Sequence, residues 1–377
     1  MKCTYQYRHN PIKECPHETL GDSEFCMFHE PFSGKDLEGL NLQDFDLEEA
    51  YLSEANLEKA NLSGSNLRYA DLSDAKVPHA NLSWCLLEHA DLSGANLSHS
   101  NLSSSSLRKA DLSNSVLIHA DLSLADLEGA NLTNADLRST ELYGANLSGA
   151  NIFNADFRGA KLYGINLRNV KNLRYAKFDR VVVEEIRGDK LAKEGKFNEA
   201  IESYNRAIDV YLLLKKLFTE HGIYDRASIY SIGEWRVRGK IQRIAYRALT
   251  SQHIENFLPI TVKFRKRWVA FLEGHLRWIV NRTLYLTSSY GESPFRVLLT
   301  TMFVIFLYAW LYWILNAVRG ARSFLENLYF SVVTFTTVGY GDYIPKSQYY
   351  LLAMSEAFIG AFLMAFFVVV LSRKVIR

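Results

Sequence analysis

The stretch Thr336-Thr337-Val338-Gly339-Tyr340-Gly341-Asp342 (TTVGYGD) decides how this chain is read. Two glycines alternate with bulky residues, so the backbone can take left-handed dihedrals at alternate positions at little steric cost. Long apolar runs lie on either side. Val297 to Val318 is 22 residues without a charge, and Tyr349 to Leu371 is 23 residues with one, Glu356. Each is long enough to cross a bilayer as a helix, and only helices and closed barrels satisfy their backbone in lipid. Between them, Ser323 to Thr336 is apolar but too short to span; such a segment enters a membrane only where protein buries it. A hairpin turn rich in Gly and Asp is the plain alternative for the motif, and the flanking spans weigh against it.

TTVGYGD closely resembles the selectivity filter of potassium channels, in which backbone carbonyls replace the water that a permeating ion sheds. The resemblance implies that the carbonyls of Thr337, Val338, Gly339 and Tyr340, with the Thr337 hydroxyl, form successive K+ sites. Gly341 completes the loop, Tyr340 braces it, and Asp342 sits at the outer mouth. It also implies that Tyr329 and Phe330 pack around the filter and that four chains assemble around one axis. The pattern departs from some members of the family at Val333, where they carry a carboxylate; that puts slow filter inactivation in doubt. Gly360, 19 residues after Gly341, matches the family's gating hinge in spacing, or serves close helix packing. Met364, Phe367, Val368 and Leu371 share its helix face, as an inner constriction or as ordinary contacts with lipid and neighbouring helices. Glu356 is an intramembrane acid and so a functional candidate, or a hydrogen-bonded group behind the pore helix.

Basic residues set the orientation. Val262 to Arg282 carries a net +5 and Arg319 to Gln348 a net +1, which places both termini in the cytoplasm of a cell-membrane protein. No arginine-repeat helix precedes the pore, so a voltage sensor is not expected. The segment Val262–Thr287 has Trp268, Phe271, Leu272, Leu276 and Ile279 on an apolar face, with basic residues largely on another. It is expected to lie in the membrane interface, where anionic lipids attract it, and to meet the outer helix through an elbow at 288–294.

Most of the chain follows another rule. From Leu37 to Leu167 an apolar residue recurs every five positions, at 27 sites, with Val77, Ile152 and Phe157 among the few that are not leucine. Two residues earlier stand small ones such as Ala50, Ala55, Ala60 and Cys85. A period of five fits neither helix nor plain strand. The A-(N/D)-L-x-x array resembles the pentapeptide-repeat family, which implies a square solenoid with leucine and alanine inside stacked coils. At the strand spacing of ~4.8 Å its coils give a rod of roughly 32 Å. Some members of that family mimic DNA and are strongly acidic. Here the whole chain is +2 at pH 7, so a nucleic-acid role is not expected, and scaffolding, docking or regulation is.

Cys3, Cys15, Cys26 and His29 mark a third unit, with His17 as an alternative ligand. Sulfur and imidazole donors suit tetrahedral zinc, and C-x2-H is a workable half-site. Reduced thiols capping the first coil are the alternative. Disulfides are not expected in a cytoplasmic segment, and the segment is too polar for a secretory leader. Past Leu167 the register slips, and Gly188 to Leu214 takes a helical period. Ala200, Tyr204, Ala207 and Tyr211 fall on one face there. Gly195, Ala200, Tyr204 and Ala207 resemble half of a tetratricopeptide repeat; a helical hairpin is the simpler reading.

The expected fold is multidomain. A Cys/His-rich cap (1–33) precedes a pentapeptide-repeat quadrilateral β-helix (34–180), an α-helical linker bundle (181–255) and an amphipathic interfacial helix (256–293). An all-α, two-span pore domain (294–377) follows, with outer helix 294–318, re-entrant pore helix 323–336, filter 337–342 and inner helix 347–372. The expected function is a K+-selective homotetrameric channel, not an enzyme. The alternative is a membrane-anchored scaffold with a non-conducting pore, its rod binding a protein partner.

Overall fold

The computed structural model describes residues 2–9, 13–18, 25–31, 33–250, 283 and 293–375, with backbone alone at 245–250 and 373–375. Apart from Thr283 and Ser293, the interfacial helix expected over 256–293 lies outside the described residues. The chain divides into two units, Met1–Gly233 and Glu234–Arg377.

In the first unit, parallel bridges join residues 20 apart, from Asp36 with Asn56 to Asn151 with Lys171. Four five-residue repeats therefore make one coil. The leucines at the repeat centres and the small residues two positions earlier point inward and are buried throughout. Asn and Asp recur because they continue between coils as a side-chain ladder. Asn61 Nδ2 donates to Asn41 Oδ1 at 2.9 Å, Asn81 to Asn61 at 3.1 Å and Asn101 to Asn81 at 3.3 Å. Each corner is a turn closed by an i to i+3 hydrogen bond, as from Ala50 N to Leu47 O at 3.1 Å. The residue before the small one is left-handed. Such turns favour Gly or Asn there, yet Lys59, His79, Trp84 and Leu124 hold φ of 58 to 61°. Coil-to-coil backbone bonds fix these residues, as from Lys59 N to Pro78 O at 3.0 Å.

The register slip is one residue. Asp156 pairs with Lys177, and left-handed Asn172 (φ 61°) with a 3-10 turn at Leu173–Tyr175 absorbs the insertion. Three helices follow: α1 (Val183–Lys193), α2 (Phe197–Glu220) and α3 (Tyr224–Thr250). Ala200, Tyr204, Ala207 and Tyr211 are all buried, as the helical period predicts. Gly188 and Gly233 make room for two of these rings: a Cβ at either would meet Tyr204 or Tyr211 at 2.5 Å. The helices close the last coil. Phe178 stacks on Phe157 and meets Phe218 edge-on, and Arg226 donates to Ala176 O at 2.7 Å.

The second unit begins within α3, at Glu234, and contains α4 (Pro294–Ile314), α5 (Phe324–Phe335) and α6 (Tyr350–Val375). α4, and α6 with the 3-10 turn that precedes it, are long and apolar enough to cross a membrane, with mean hydropathy 2.0 and 2.2; α5 is apolar but shorter. Ser293 and Pro294 start α4, in keeping with proline's fit to a first helical turn. The outer helix ends at Ile314, four residues short of the expected 318. Left-handed Asn316 (φ 46°) stops it, and Ala317 N turns back to Tyr312 O at 2.9 Å. Val318–Arg319 (β1) then pairs antiparallel with Ile344–Pro345 (β2). Tyr312, Ala317, Val318, Ala321 and Phe330 form the core beside this ribbon.

Candidate functional site: a pore loop and a Cys/His cluster

A reciprocal cap positions α5. Ser323 Oγ accepts from Glu326 N at 3.2 Å, while Glu326 Oε2 accepts from Ser323 N at 2.8 Å and Arg322 N at 2.6 Å. The S-x-x-E spacing is its sequence sign, which a motif-based reading of the pore passes over. At its other end α5 runs directly into the loop. Thr337 N donates to Thr334 O and Val338 N to Val333 O, both at 3.1 Å.

Left-handed residues then alternate: Thr337 at φ 57°, Gly339 at 57° and Gly341 at 77°, while Val338, Tyr340 and Asp342 are not left-handed. Alternating handedness turns successive peptide planes the same way, as a row of carbonyls facing one side requires. Glycine does this freely. A β-branched threonine at positive φ is a genuine outlier, and strain of this kind clusters at ligand clamps. Thr337 is thus the position at which the loop departs from what its glycines alone explain.

Val338 is 53% and Tyr340 71% exposed, so nothing among the described residues of one chain braces the loop at Tyr340. Tyr329 meets the Asp342 side chain and lies edge-on to Tyr343 at 5.9 Å. Phe330 is buried, edge-on to Tyr312 at 5.0 Å. Val333 is buried below the loop.

Glu356 is fully buried where α4, α5 and α6 meet. Tyr312 of α4 donates to its Oε2 at 2.6 Å, and Ser331 of α5 donates to its Oε1. Neither partner follows from sequence periodicity, since they lie 44 and 25 residues away. Gly360 packs on the end of α5: a Cβ there would stand 2.1 Å from the Phe335 carbonyl oxygen. α6 runs unbroken through it. Met364, Val368 and Leu371 are exposed and Phe367 half-buried.

In the first unit, Cys3, Cys15, Cys26 and His29 are brought together. Their Sγ and Nδ1 atoms lie within 4.8 Å of one another, and all four residues are buried. His17 points elsewhere, its Nε2 2.5 Å from Asp46 O. The hydrogen bond from Cys15, then those involving His29, hold the Cys26 thiol well below the usual thiol range. The same Cys15–Cys26 bond, with burial, pushes Cys15 up. Cys85 lies apart, buried in the repeat core, where burial pushes its thiol up to about 12.

Residues 299–377 match the ion channel family, and residues 32–169 match pentapeptide repeats in overlapping segments. No curated protein matches the chain. Among solved structures, a trypsin-treated form of the plasmid-mediated fluoroquinolone resistance protein QnrB1 is 18% identical, covering 39% of this chain and 91% of its own, TM-score 0.25. HetL, a pentapeptide-repeat protein involved in heterocyst differentiation regulation in Nostoc sp. strain PCC 7120, is 28% identical over 40% and 90%, TM-score 0.15. A second Nostoc pentapeptide-repeat protein is 32% identical over 25% and 84%, TM-score 0.15.

Proposed function

We propose that this chain, which carries an ion-channel domain behind pentapeptide repeats, conducts potassium ions passively through a pore closed by four copies of itself. The observation that supports this most is the alternation of left-handed residues at Thr337, Gly339 and Gly341 in a loop between two apolar helices. Carbonyls turned to one side can replace the hydration shell of K+, with the Thr337 hydroxyl as a further ligand. One chain offers one such wall, and its Val338 and Tyr340 stand exposed. Closed symmetry supplies the other walls and gives Tyr340 a neighbour to rest on.

In this assembly α4 is the outer helix, α5 the re-entrant pore helix and α6 the inner helix. Re-entrance is tolerable because protein surrounds α5. Asp342 draws cations to the outer mouth. Gly360 lets α6 approach the pore helix, and Met364, Phe367, Val368 and Leu371 below it form the inner constriction. The basic excess over 262–282 puts both termini in the cytoplasm, beneath the cell membrane, and attracts anionic lipid. Helices α1 to α3 form the linker that follows the repeats. The β-helix, which carries both signs of charge with an acidic excess, serves as a regulatory or docking surface for a protein partner.

Flux into liposomes tests this. Purified full-length protein should take up rubidium and exclude sodium. Equal uptake of both ions, or none of either, would overturn it in favour of an anchored scaffold.

A further inference from the structure

Local structure, not sequence spacing, brings the four metal-binding side chains together. Antiparallel bridges Lys2–Glu18 and Gln6–Glu14 fold the first segment back on itself. Cys3 N donates to His17 O at 3.1 Å, which sets Cys3 beside Cys15. A tight turn, in which His29 N and Glu30 N both donate to Cys26 O at 3.0 Å, presents Cys26 and His29 from the other side. Cys26 N also donates to Cys3 Sγ at 3.1 Å.

The distances suit a metal better than a disulfide. Cys15 Sγ and Cys26 Sγ are 3.8 Å apart. Two thiolates on one tetrahedral zinc stand about 3.8 Å apart when each bond is ~2.3 Å, whereas a disulfide holds its sulfurs at about 2.0 Å. His29 Nδ1 lies 3.3 Å from Cys15 Sγ and 3.2 Å from Cys26 Sγ. Its other nitrogen, Nε2, lies 2.9 Å from Glu48 O. In the tautomer that donates Nε2–H to this carbonyl, the Nδ1 lone pair faces the sulfurs. A metal-bound histidine needs this outer hydrogen bond to fix its tautomer. Tyr5 stacks on the imidazole at 4.1 Å and holds the ring plane.

We propose that Cys3, Cys15, Cys26 and His29 bind one zinc ion in a closed structural site that locks the N-terminal segment onto the first coil of the β-helix. Four protein ligands leave no open position, which distinguishes a structural site from a catalytic one. Three thiolates select a soft ion over calcium or magnesium. On binding, the thiols that are protonated release their protons to solvent and no bond is oxidised or reduced.

The site has mechanical work to do, because the first coil of a solenoid has no neighbour on its outer side and needs a cap. The N-terminal segment supplies one. Tyr51 N donates to Phe28 O at 2.8 Å. Glu49 accepts from Arg8 N at 2.7 Å, His9 N at 2.8 Å and Tyr5 OH at 3.0 Å. Lys13 pairs with Asp46 at 2.7 Å and Glu48 at 2.5 Å. A segment this short cannot build a core of its own, and a metal is a usual substitute.

Full-length protein purified without chelator should carry about one zinc per chain. Cys26→Ser and His29→Ala should fall below about a tenth of that, while His29→Cys should keep it, because four thiolates are an equally good zinc set. Cobalt exchanged into the wild type should show thiolate-to-metal charge-transfer absorption. A mercurial added to wild-type protein gives a reading that does not depend on how the variants fold: thiol modification should release the zinc to a chromophoric chelator. Less than about a tenth of an equivalent in the wild type would overturn the proposal. So would undiminished zinc in Cys26→Ser, or a Cys15–Cys26 disulfide found by mass spectrometry.

Discussion

The Tyr312 hydroxyl donates to Glu356 Oε2 at 2.6 Å, and this bond ties α4 to α6 in the interior of the channel-family unit. Ser331 brings in α5 through the other carboxylate oxygen, and its Oγ also lies 2.9 Å from Ile305 O. One acid therefore gathers all three helices. In lipid no water can replace a lost partner, so the arrangement holds only while each acceptor has its donor.

Tyr312→Phe removes one donor and leaves a buried carboxylate oxygen unpaired, which should cost about 1–3 kcal/mol. Thermal denaturation of the full-length protein in detergent measures it. Combined with Glu356→Leu, which removes the acceptor, the two losses should be non-additive. An identical Tyr312→Phe effect in both backgrounds would mean that the bond contributes nothing.

Gly360→Ala tests why α6 carries a glycine. The new Cβ would stand 2.1 Å from the Phe335 carbonyl oxygen, 2.9 Å from its carbon and 3.0 Å from its Cα, all backbone atoms. The end of α5 must then move, and with it the loop that begins one residue later. Overpacking of this kind costs about 1–3 kcal/mol, so both melting temperature and rubidium flux should fall. If Gly360 were a hinge alone, alanine would lower flux and leave the melting temperature unchanged.

The legibility of this molecule in its sequence differs by element, for physical reasons. Leucine every fifth residue gives the β-helix directly, because the central inward position of each repeat is apolar. The left-handed corners are invisible, because coil-to-coil hydrogen bonds hold Lys59 or Trp84 there as readily as a glycine. In the pore loop Gly339 and Gly341 announce their dihedrals; Thr337 does not, since its conformation follows from where α5 ends. C-x2-H is legible because the turn is local, whereas the approach of Cys3 and Cys15 depends on two bridges between segments. The early stop of α4 rests on Asn316, a residue that tolerates the left-handed region. Hydropathy alone runs past it.

Glu184 should make stability pH-dependent. Burial pushes its carboxyl above the usual range, and its Oε2 has no hydrogen-bond partner. The folded state therefore favours the protonated form. Below the unfolded value of about 4.3 both states are protonated and no penalty applies. As pH rises through the raised folded value the folded state must bury a charge, and stability falls. Glu184→Gln should raise the melting temperature at pH 7, with the gain shrinking as pH falls toward 4. A constant gain across that range would show that charge burial is not the cause.

Gly341 separates conformation from space in the pore loop. Its φ is 77°, and a Cβ built on it would meet nothing within 4 Å in the same chain. The demand on this residue within one chain is therefore backbone handedness, which costs an L-residue about 1–2 kcal/mol. Gly341→Ala should reduce rubidium flux while the helix content of the protein stays unchanged by circular dichroism. D-alanine placed there by semisynthesis meets no such penalty and should restore flux. If the D-residue proved as damaging as the L-residue, a neighbouring copy would have to crowd the position. The requirement would then be one of space in the assembled pore, not of handedness in one chain.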